Sequence, residues 1–459
     1  MSHTDRLFYR LIEIVGEAHI IKNPDQLKSY SLDGKRPKAV VFPGTIDEIS
    51  KVVACACEER LAVIPRGNGT KMAMGGIPKK VDIILSTSRL NRIVDSDCDN
   101  LTLSAESGMT LGDVQKRLAK EGKGYFLPLD PPFTDKATLG GIVAANSSGP
   151  KRLLYGTARD LITGMKAVFP NGDVVVSGGK TVKNVSGYDM CKLLIGSYGT
   201  LGIISEITFK LLPLPEKGAT LFIPFAALDE CVGFTHDILH SQLLPASMDI
   251  LNAVAIEKMK YRISMPPTGN YLVAIGSEGV SETIERQISE ISEIGKRHGA
   301  LALETATLHS ERHHGFWISV RDFAQGLIME NDTNLISLKS NFLVSKYGEM
   351  IRSYEKITQA LGFDGALICH SGNGVLYSYV MVGKNVRSKT ESLVELVGKL
   401  TAEAVKNEGN LVVESSPLSI KKKVDVWGEL RSDYQVMCHL KKEIDPRSIL
   451  NPGRFVGGI

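Results

Sequence analysis

Nowhere in the 459 residues is there a run of apolar residues long enough, roughly 18, to carry a helix across a bilayer. The opening Met1-Ser2-His3-Thr4-Asp5-Arg6 lacks an apolar core followed by a cleavage site, so no secretory signal is expected. Cysteine is sparse: the seven residues (Cys55, Cys57, Cys98, Cys191, Cys231, Cys369, Cys438) are odd in number and include no C-x-x-C pair. That spacing argues against a zinc ribbon, an iron–sulfur run or a disulfide framework, and for buried reduced thiols in a cytoplasmic protein. Neither sign of charge dominates, with 54 Lys and Arg against 51 Asp and Glu. The net charge is +3, and no basic run is interleaved with aromatics, so no nucleic-acid partner is expected. Lys421-Lys422-Lys423 reads as a solvated helix face. No internal repeat or low-complexity segment is visible, and no histidine occurs between His19 and His236.

Glycine is the residue in excess. There are 44, clustered between Arg66 and Gly202, which points to tight turns and to backbone held close to a ligand. The length exceeds one ordinary core and calls for two or three domains. Residues 1–37 read as a helical lead-in, with Leu7, Leu11, Ile14 and Val15 at helical spacing. From 38 to 215, short strands mix with helices without regular βαβ repeats, the texture of an α+β domain. The texture changes at Pro213-Leu214-Pro215-Glu216, the candidate boundary. Beyond it the periods predict strand 218–225, helix 227–241, strand 246–252, strand 270–276, helix 280–298 and strand 301–306. That is the ferredoxin-like β-α-β-β-α-β order. A second strand–helix series fills roughly 310–415, giving a domain over 216–425 and a C-terminal segment over 426–459.

The strand predicted at Ala62-Val63-Ile64-Pro65 runs straight into Arg66-Gly67-Asn68-Gly69-Thr70-Lys71, with Gly75-Gly76 shortly after. Such a turn aims several backbone N–H groups at one point, where a phosphate can sit with no side chain in the way. It is not the dinucleotide fingerprint, because G-x-G-x-x-G opens a helix and this loop continues through Met72-Ala73-Met74. Alone it is only a turn. Further motifs follow in order: Thr138-Leu139-Gly140-Gly141-Ile142-Val143-Ala144-Ala145-Asn146-Ser147-Ser148-Gly149, then Tyr155-Gly156-Thr157-Ala158-Arg159-Asp160. Lys183-Asn184-Val185-Ser186-Gly187-Tyr188-Asp189 and Gly199-Thr200-Leu201-Gly202-Ile203-Ile204 complete the series.

With these motifs, the chain resembles the FAD-linked oxidases of the vanillyl-alcohol oxidase / para-cresol methylhydroxylase superfamily. Within it, the likeness is to the flavin subunits of glycolate oxidase and D-lactate dehydrogenase. The resemblance implies a two-lobed FAD-binding domain, a ferredoxin-like α+β cap that takes the substrate, and C-terminal helices returning to the FAD domain. It implies that Pro65, Arg66, Gly67, Asn68 and Gly69, with Gly75 and Gly76, hold the pyrophosphate. Leu139, Gly140, Gly141, Ala144, Ala145, Asn146, Ser148 and Gly149 would wrap the ribityl chain and flavin together with Tyr155, Gly156, Arg159 and Asp160. Gly202, Ile203 and Ile204 would approach the adenine side and the isoalloxazine backbone-first, and Thr70, Pro128, Thr138 and Gly199 complete the expected set. Some relatives tether the flavin to a histidine just after the first glycine loop. Thr70-Lys71-Met72 offers no His or Cys, so a non-covalent FAD is expected.

In 2-hydroxy-acid relatives, an Arg in a W-x-x-x-R-like helix and a Lys on the next strand hold the substrate carboxylate. Here Trp317-Ile318-Ser319-Val320-Arg321 and Leu338-Lys339-Ser340-Asn341 occupy those places. Arg321 suits bidentate carboxylate binding, and a helix-surface arginine is the competing reading. Metal-containing relatives carry H-x-G-x-G-x-x-H and, later, a Glu-His pair. This chain has His370-Ser371-Gly372-Asn373-Gly374-Val375-Leu376-Tyr377 and Glu414-Ser415. His370 and Glu414 are remnants of that site, and one imidazole with one carboxylate is too few for a closed zinc or iron site, so no metal is expected. His370 or Tyr377 is then the base that takes the hydroxyl proton, with Arg321 and Lys339 on the carboxylate. His313, His314 and His439 are further candidates.

The readings left open are a dehydrogenase acting on a small 2-hydroxy acid such as glycolate or D-lactate, an auxiliary electron-transfer subunit, and an FAD-binding assembly subunit without turnover. Electrons would leave through oxygen, a quinone or another subunit. An iron–sulfur or second flavin subunit is the partner the resemblance implies. Association with the inner face of a membrane would come through such partners.

Overall fold

The computed structural model describes residues 3–180, 187–260, 269–307, 311–331, 334–383 and 386–459. The chain divides into two compact units. The first comprises residues 1–148, 156–214 and 430–459, and the second residues 149–155 and 215–429.

Two sheets organise the first unit. Ala39–Val41 and Val63–Arg66 run parallel to Ile83–Ser86 between them, and Ile20–Ile21 pairs antiparallel at the edge. The three parallel strands are apolar at nearly every position because both of their faces are covered. The crossover helix Ile46–Glu58 starts where the Thr45 hydroxyl accepts the Glu48 N–H at 3.1 Å, and it buries Ile49, Val52 and Val53. The second sheet is antiparallel, in the order Ile93–Asp97, Thr102–Glu106, Ile203–Lys210, Ile162–Val168, Val174–Gly178. Helix Leu111–Glu121 begins on Thr110, whose hydroxyl accepts the Asp113 N–H, and ends at Gly122, whose φ of 67° is the left-handed stop. The chain end returns to the parallel sheet: Val63 N–H donates to Ile449 O at 2.8 Å and Asn451 N–H to Val63 O at 2.9 Å.

In the second unit, one antiparallel eight-stranded sheet runs Glu304–Thr307, Lys217–Phe225, Tyr271–Gly279, Ser247–Asn252, Gly365–His370, Val375–Gly383, Asn334–Asn341, Asn410–Ser415. The first four strands, numbered along the chain, lie in the order 4-1-3-2, and the last four in the order 2-3-1-4. Two β-α-β-β-α-β halves therefore meet at their second strands, Ser247–Asn252 and Gly365–His370. The first half carries an additional helix, Ala253–Lys260, between its second and third strands, which the sequence reading did not include. The doubling also escaped that reading. The halves share a pattern of apolar positions, and packing requires the pattern rather than the same residues.

Four long helices, Leu228–Leu239, Ser281–Arg297, Tyr347–Ala360 and Thr390–Lys406, cover one face of this sheet over a core that includes Ile250, Leu338, Cys369, Leu376 and Val413. On the opposite face, Phe316, Phe323 and Leu327 pack with Leu251, Ile368 and Tyr379.

Candidate functional site

A cleft opens in the first unit where strand Val63–Arg66 delivers the chain into Gly67-Asn68-Gly69. One end has an empty volume of about 420 Å³ and is lined by Pro65, Arg66, Gly67, Thr87, Ser107, Gly140, Gly141, Ala144, Tyr198, Gly199, Gly202, Ile203 and Ile204. The other, about 550 Å³, adds Asn68, Gly69, Thr70, Lys71, Met72, Thr138, Ala145, Asn451 and Arg454. The two ends share Pro65, Arg66, Gly67, Gly141, Ala144 and Tyr198 and are continuous.

Close main-chain packing explains the glycines. A Cβ on Gly67 would stand 2.1 Å from Thr138 Oγ1, and that oxygen already accepts the Gly141 N–H at 3.3 Å. Gly69 has φ of +80°, left-handed backbone that a side chain would strain. The result is a wall of backbone and small side chains, shaped for a flat, phosphate-bearing ligand. Its polar atoms fit such a ligand. Arg66 Nε, Ser107 Oγ and Asn451 Oδ1 are buried in the cleft wall without a hydrogen-bond partner. Groups of that kind are costly unless a ligand or water completes them. The Arg66 guanidinium itself lies 4.6 Å from the centre of the Tyr30 ring, which fixes its plane.

Most of the expected cofactor residues meet in this cleft: Pro65 to Thr70, Thr138, Gly140, Gly141, Ala144, Ala145, Gly199, Gly202, Ile203 and Ile204. Others are placed elsewhere. Gly75 and Gly76, expected on the pyrophosphate, pack against the C-terminal main chain: Gly76 N–H donates to Arg454 O at 2.9 Å, and a Cβ there would meet Gly453 O at 2.3 Å. Leu139 is fully buried in the core beneath the cleft, and Pro128 is buried outside it. Arg159 and Asp160 serve local structure. Arg159 Nη1 donates to Lys192 O at 3.1 Å, and Asp160 Oδ2 accepts the Thr157 N–H at 2.8 Å at the start of a short helix, beside Gly156 with φ of +76°. Asn146 follows the helix Leu139–Ala144 in left-handed backbone, and Ser148 is buried. Gly149 and Tyr155 belong to the second unit, where the Tyr155 hydroxyl donates to Glu278 Oε2 at 2.7 Å and Lys151 pairs with Glu278 Oε1 at 2.6 Å. Residues 183–186 of the third motif lie outside the described residues.

The sequence reading missed Thr87, Ser107, Tyr198, Asn451 and Arg454. Asn451 and Arg454 sit in Asn451-Pro452-Gly453-Arg454, whose residue types mark a turn but not its distant partners. Arg454 is 3% exposed, and its guanidinium donates to Met72 O at 2.8 Å and Gly76 O at 3.0 Å. Burial pulls its pKa below the ordinary arginine value, against the opposing charge of Asp33.

The second constellation lies on one face of the eight-stranded sheet. Cross-strand partners point to the same side, and the register aligns Ile368, Tyr377, Lys339 and Val412, with Asp249 opposite His370. His370, Tyr377 and Lys339 therefore share a face, and Glu414 falls at the register irregularity between Val413 and Ser415. His370 Nδ1 lies 2.7 Å from Asp249 Oδ1, with both side chains buried. The His370 and Tyr377 rings meet edge to face at 5.4 Å, and Lys339 Nζ lies 5.8 Å from the Tyr377 ring centre. Burial pushes the Tyr379 phenol well above its ordinary range, and the charges of Tyr377, Glu414, Asp249 and Asp322 push the same way. Arg321 ends helix Glu311–Arg321 and pairs with the adjacent Asp322, Nη2 to Oδ2 at 3.0 Å, so its charge is already partly engaged. Trp317 anchors the same helix by donating from Nε1 to Thr220 Oγ1 at 2.8 Å. That oxygen also lies 2.7 Å from Nδ1 of buried His313, which accounts for one of the spare histidines as a structural one. Among the described residues, no group of three or more His, Cys, Asp or Glu side chains is placed to hold a metal.

The first unit holds a backbone-lined cleft, the second a large antiparallel sheet with a polar face, and each matches a family of flavin-dependent oxidoreductases. Residues 37–178 match the family described as FAD binding domain, and residues 214–455 match FAD linked oxidases, C-terminal domain. The chain belongs to the FAD-linked oxidases, with FAD as cofactor. It is 28% identical to the glycolate oxidase subunit GlcD of Bacillus subtilis over 97% of this chain and 96% of that one. It is likewise 28% identical to a D-lactate dehydrogenase of Anaerostipes hadrus over 92% and 90%. With a D-2-hydroxyglutarate dehydrogenase of Xanthomonas citri the identity is 25% over 98% and 97%. Among solved structures, p-cresol methylhydroxylase with substrate bound has the same mixed α+β fold, with a TM-score of 0.79 at 16% identity over 98% of this chain and 96% of that one. No described helix is long and apolar enough to cross a membrane.

Proposed function

We propose that the protein oxidises a small 2-hydroxy acid to the 2-oxo acid, with FAD held non-covalently in the cleft of the first unit. The observation that carries this reading is the shared face of the eight-stranded sheet, where the ring of a base candidate, His370, meets the Tyr377 ring edge to face at 5.4 Å and the cation Lys339 lies 5.8 Å from that same Tyr377 ring. Gly67 to Thr70, Thr138, Gly140, Gly141, Gly199 and Gly202 would hold the cofactor by main chain, and Arg66, Ser107 and Asn451 would complete their hydrogen bonds on it. FAD, when bound, supplies the acceptor for the hydride leaving the substrate carbon. The protein supplies the rest. Lys339 and Arg321 neutralise the carboxylate, and His370 takes the hydroxyl proton at Nε2, the nitrogen turned away from Asp249. Tyr377 packs against the imidazole edge and limits its rotation. The GlcD, D-lactate dehydrogenase and D-2-hydroxyglutarate dehydrogenase relatives support the substrate class, each at 28% identity or less.

The test is anaerobic. The purified chain is mixed with glycolate, D-lactate or D-2-hydroxyglutarate while the flavin absorption band is followed. Bleaching by one of them is the expected result. Retained FAD with no bleaching by any 2-hydroxy acid would overturn the stand-alone dehydrogenase.

A second reading, an auxiliary flavin subunit of a glycolate-oxidase-like complex, is favoured by two observations. Tyr377 and Ser415 stand where metal-containing relatives have histidines, and Arg321 is engaged by Asp322. In that case electrons pass to a partner subunit or a quinone, and the partner restores turnover that the isolated chain lacks.

A further inference from the structure

We propose that Asp249 is the positioning residue for His370, fixing the tautomer in which Nδ1 carries the proton and Nε2 is free to accept one. The inference rests on the dehydrogenase reading above for its consequence in turnover, but its structural part stands apart from it. Asp249 is fully buried, and its Oδ1 lies 2.7 Å from His370 Nδ1. Its other oxygen, Oδ2, is buried with no hydrogen-bond partner.

For folding alone, this is a poor use of a strand position. Its neighbours Met248 and Ile250 fill the core on the other face, and Leu251, two residues on, is apolar on the same face. A buried carboxylate with a single protein partner costs more than an apolar residue of similar volume would. What the arrangement does provide is orientation. A carboxylate only accepts, so the ring nitrogen facing it must be the N–H, and the lone pair is left on Nε2. A proton arriving at Nε2 makes an imidazolium that the Asp249 charge stabilises without itself taking the proton.

The ring is held on other sides as well. Asp249 and His370 are direct cross-strand partners. Ser371 Oγ donates to Met248 O at 3.1 Å and pins the strand end, and the Tyr377 ring stands edge to face against the imidazole.

Nitrogen-15 NMR of the FAD-loaded protein, labelled at histidine and assigned with His370→Gln, reads the tautomer directly. The expected spectrum shows protonated Nδ1 and bare Nε2 at the pH used for turnover. A bare Nδ1, or an imidazolium that keeps both protons at that pH, overturns the proposal whether or not any hydroxy acid is oxidised. In turnover, Asp249→Asn keeps the shape but can donate to Nδ1, so kcat should fall about a hundredfold or more with KM within about threefold. A kcat within about threefold of the parent overturns it. If Asp249→Asn does not fold, the parent spectrum decides alone. If no hydroxy acid bleaches the flavin, only the substrate reading fails, and the tautomer still decides the role of Asp249.

Discussion

Lys441 donates a hydrogen bond from Nζ to the main-chain carbonyl of Thr200 at 2.8 Å, tying the C-terminal helix to the loop that carries Gly199 and Gly202. The same ammonium donates to Leu450 O at 2.9 Å and pairs with Asp445 at 2.6 Å, so all three of its protons are used in a buried site. Burial pulls its pKa below the ordinary lysine value, and Asp445 opposes that pull. Replacing Lys441 by Met should leave Asp445 buried without its cation and cost about 3 kcal/mol. Two readouts check this: a lowered Tm, and a smaller fraction of FAD retained through gel filtration.

The glycine loop gives a prediction of opposite locality. Gly67→Ala places a methyl 2.1 Å from Thr138 Oγ1 and should abolish FAD retention at a stability cost of about 1–3 kcal/mol. Gly398→Ala is the control. Nothing lies within 4 Å of a Cβ there, in helix Thr390–Lys406, so it should be neutral or stabilising by up to about 1 kcal/mol. The flavin-to-protein absorbance ratio distinguishes the two. Acid precipitation of the parent should release all of its FAD, and yellow colour left in the pellet would reveal a covalent link.

Asp82 makes stability pH-dependent. Burial pushes its carboxyl up, but Lys80, the Ala62 N–H and Lys38 together hold it below the usual carboxylate range. A depressed folded value means the contribution is present in full above the unfolded carboxylate pKa. It is lost as pH falls through the folded value. With both lysines half exposed, Asp82→Asn should cost about 2 kcal/mol at pH 7 and progressively less below about pH 4. Urea unfolding at pH 7 and pH 3 measures the difference. An equal loss at both would show that shape, not charge, matters at Asp82.

Arg321 tests the carboxylate contact. Arg321→Ala should raise KM tenfold to a hundredfold, about 1.4–2.8 kcal/mol, with kcat little changed. An unchanged KM would make its pair with Asp322 a local helix-end contact only.

The metal expectation is checked by elemental analysis of protein purified without chelator. Less than one tenth of an equivalent of zinc or iron is the expected outcome. A stoichiometric metal would mean that His370 and Glu414 recruit ligands that the pattern of residues does not reveal.

Local chemistry was readable along the chain because it is written in neighbours. Thr110 before Leu111, Pro65-Arg66-Gly67 after an apolar run and the mostly apolar stretch from 218 to 225 each specify a cap, a turn or a strand within a few residues. The glycine turns that line the cleft were legible for the same reason, since close main-chain packing requires glycine at fixed places. Only the tertiary structure decided what long-range partners decide. It put Gly75 and Gly76 against Arg454, turned Asp160 to a helix start, and joined two halves without visible repetition into one sheet. It also set Asp249 beside His370 across 121 residues of sequence. Strand register sums pairings distant in the chain, and no local pattern around Asp249 marks a carboxylate bound for an imidazole.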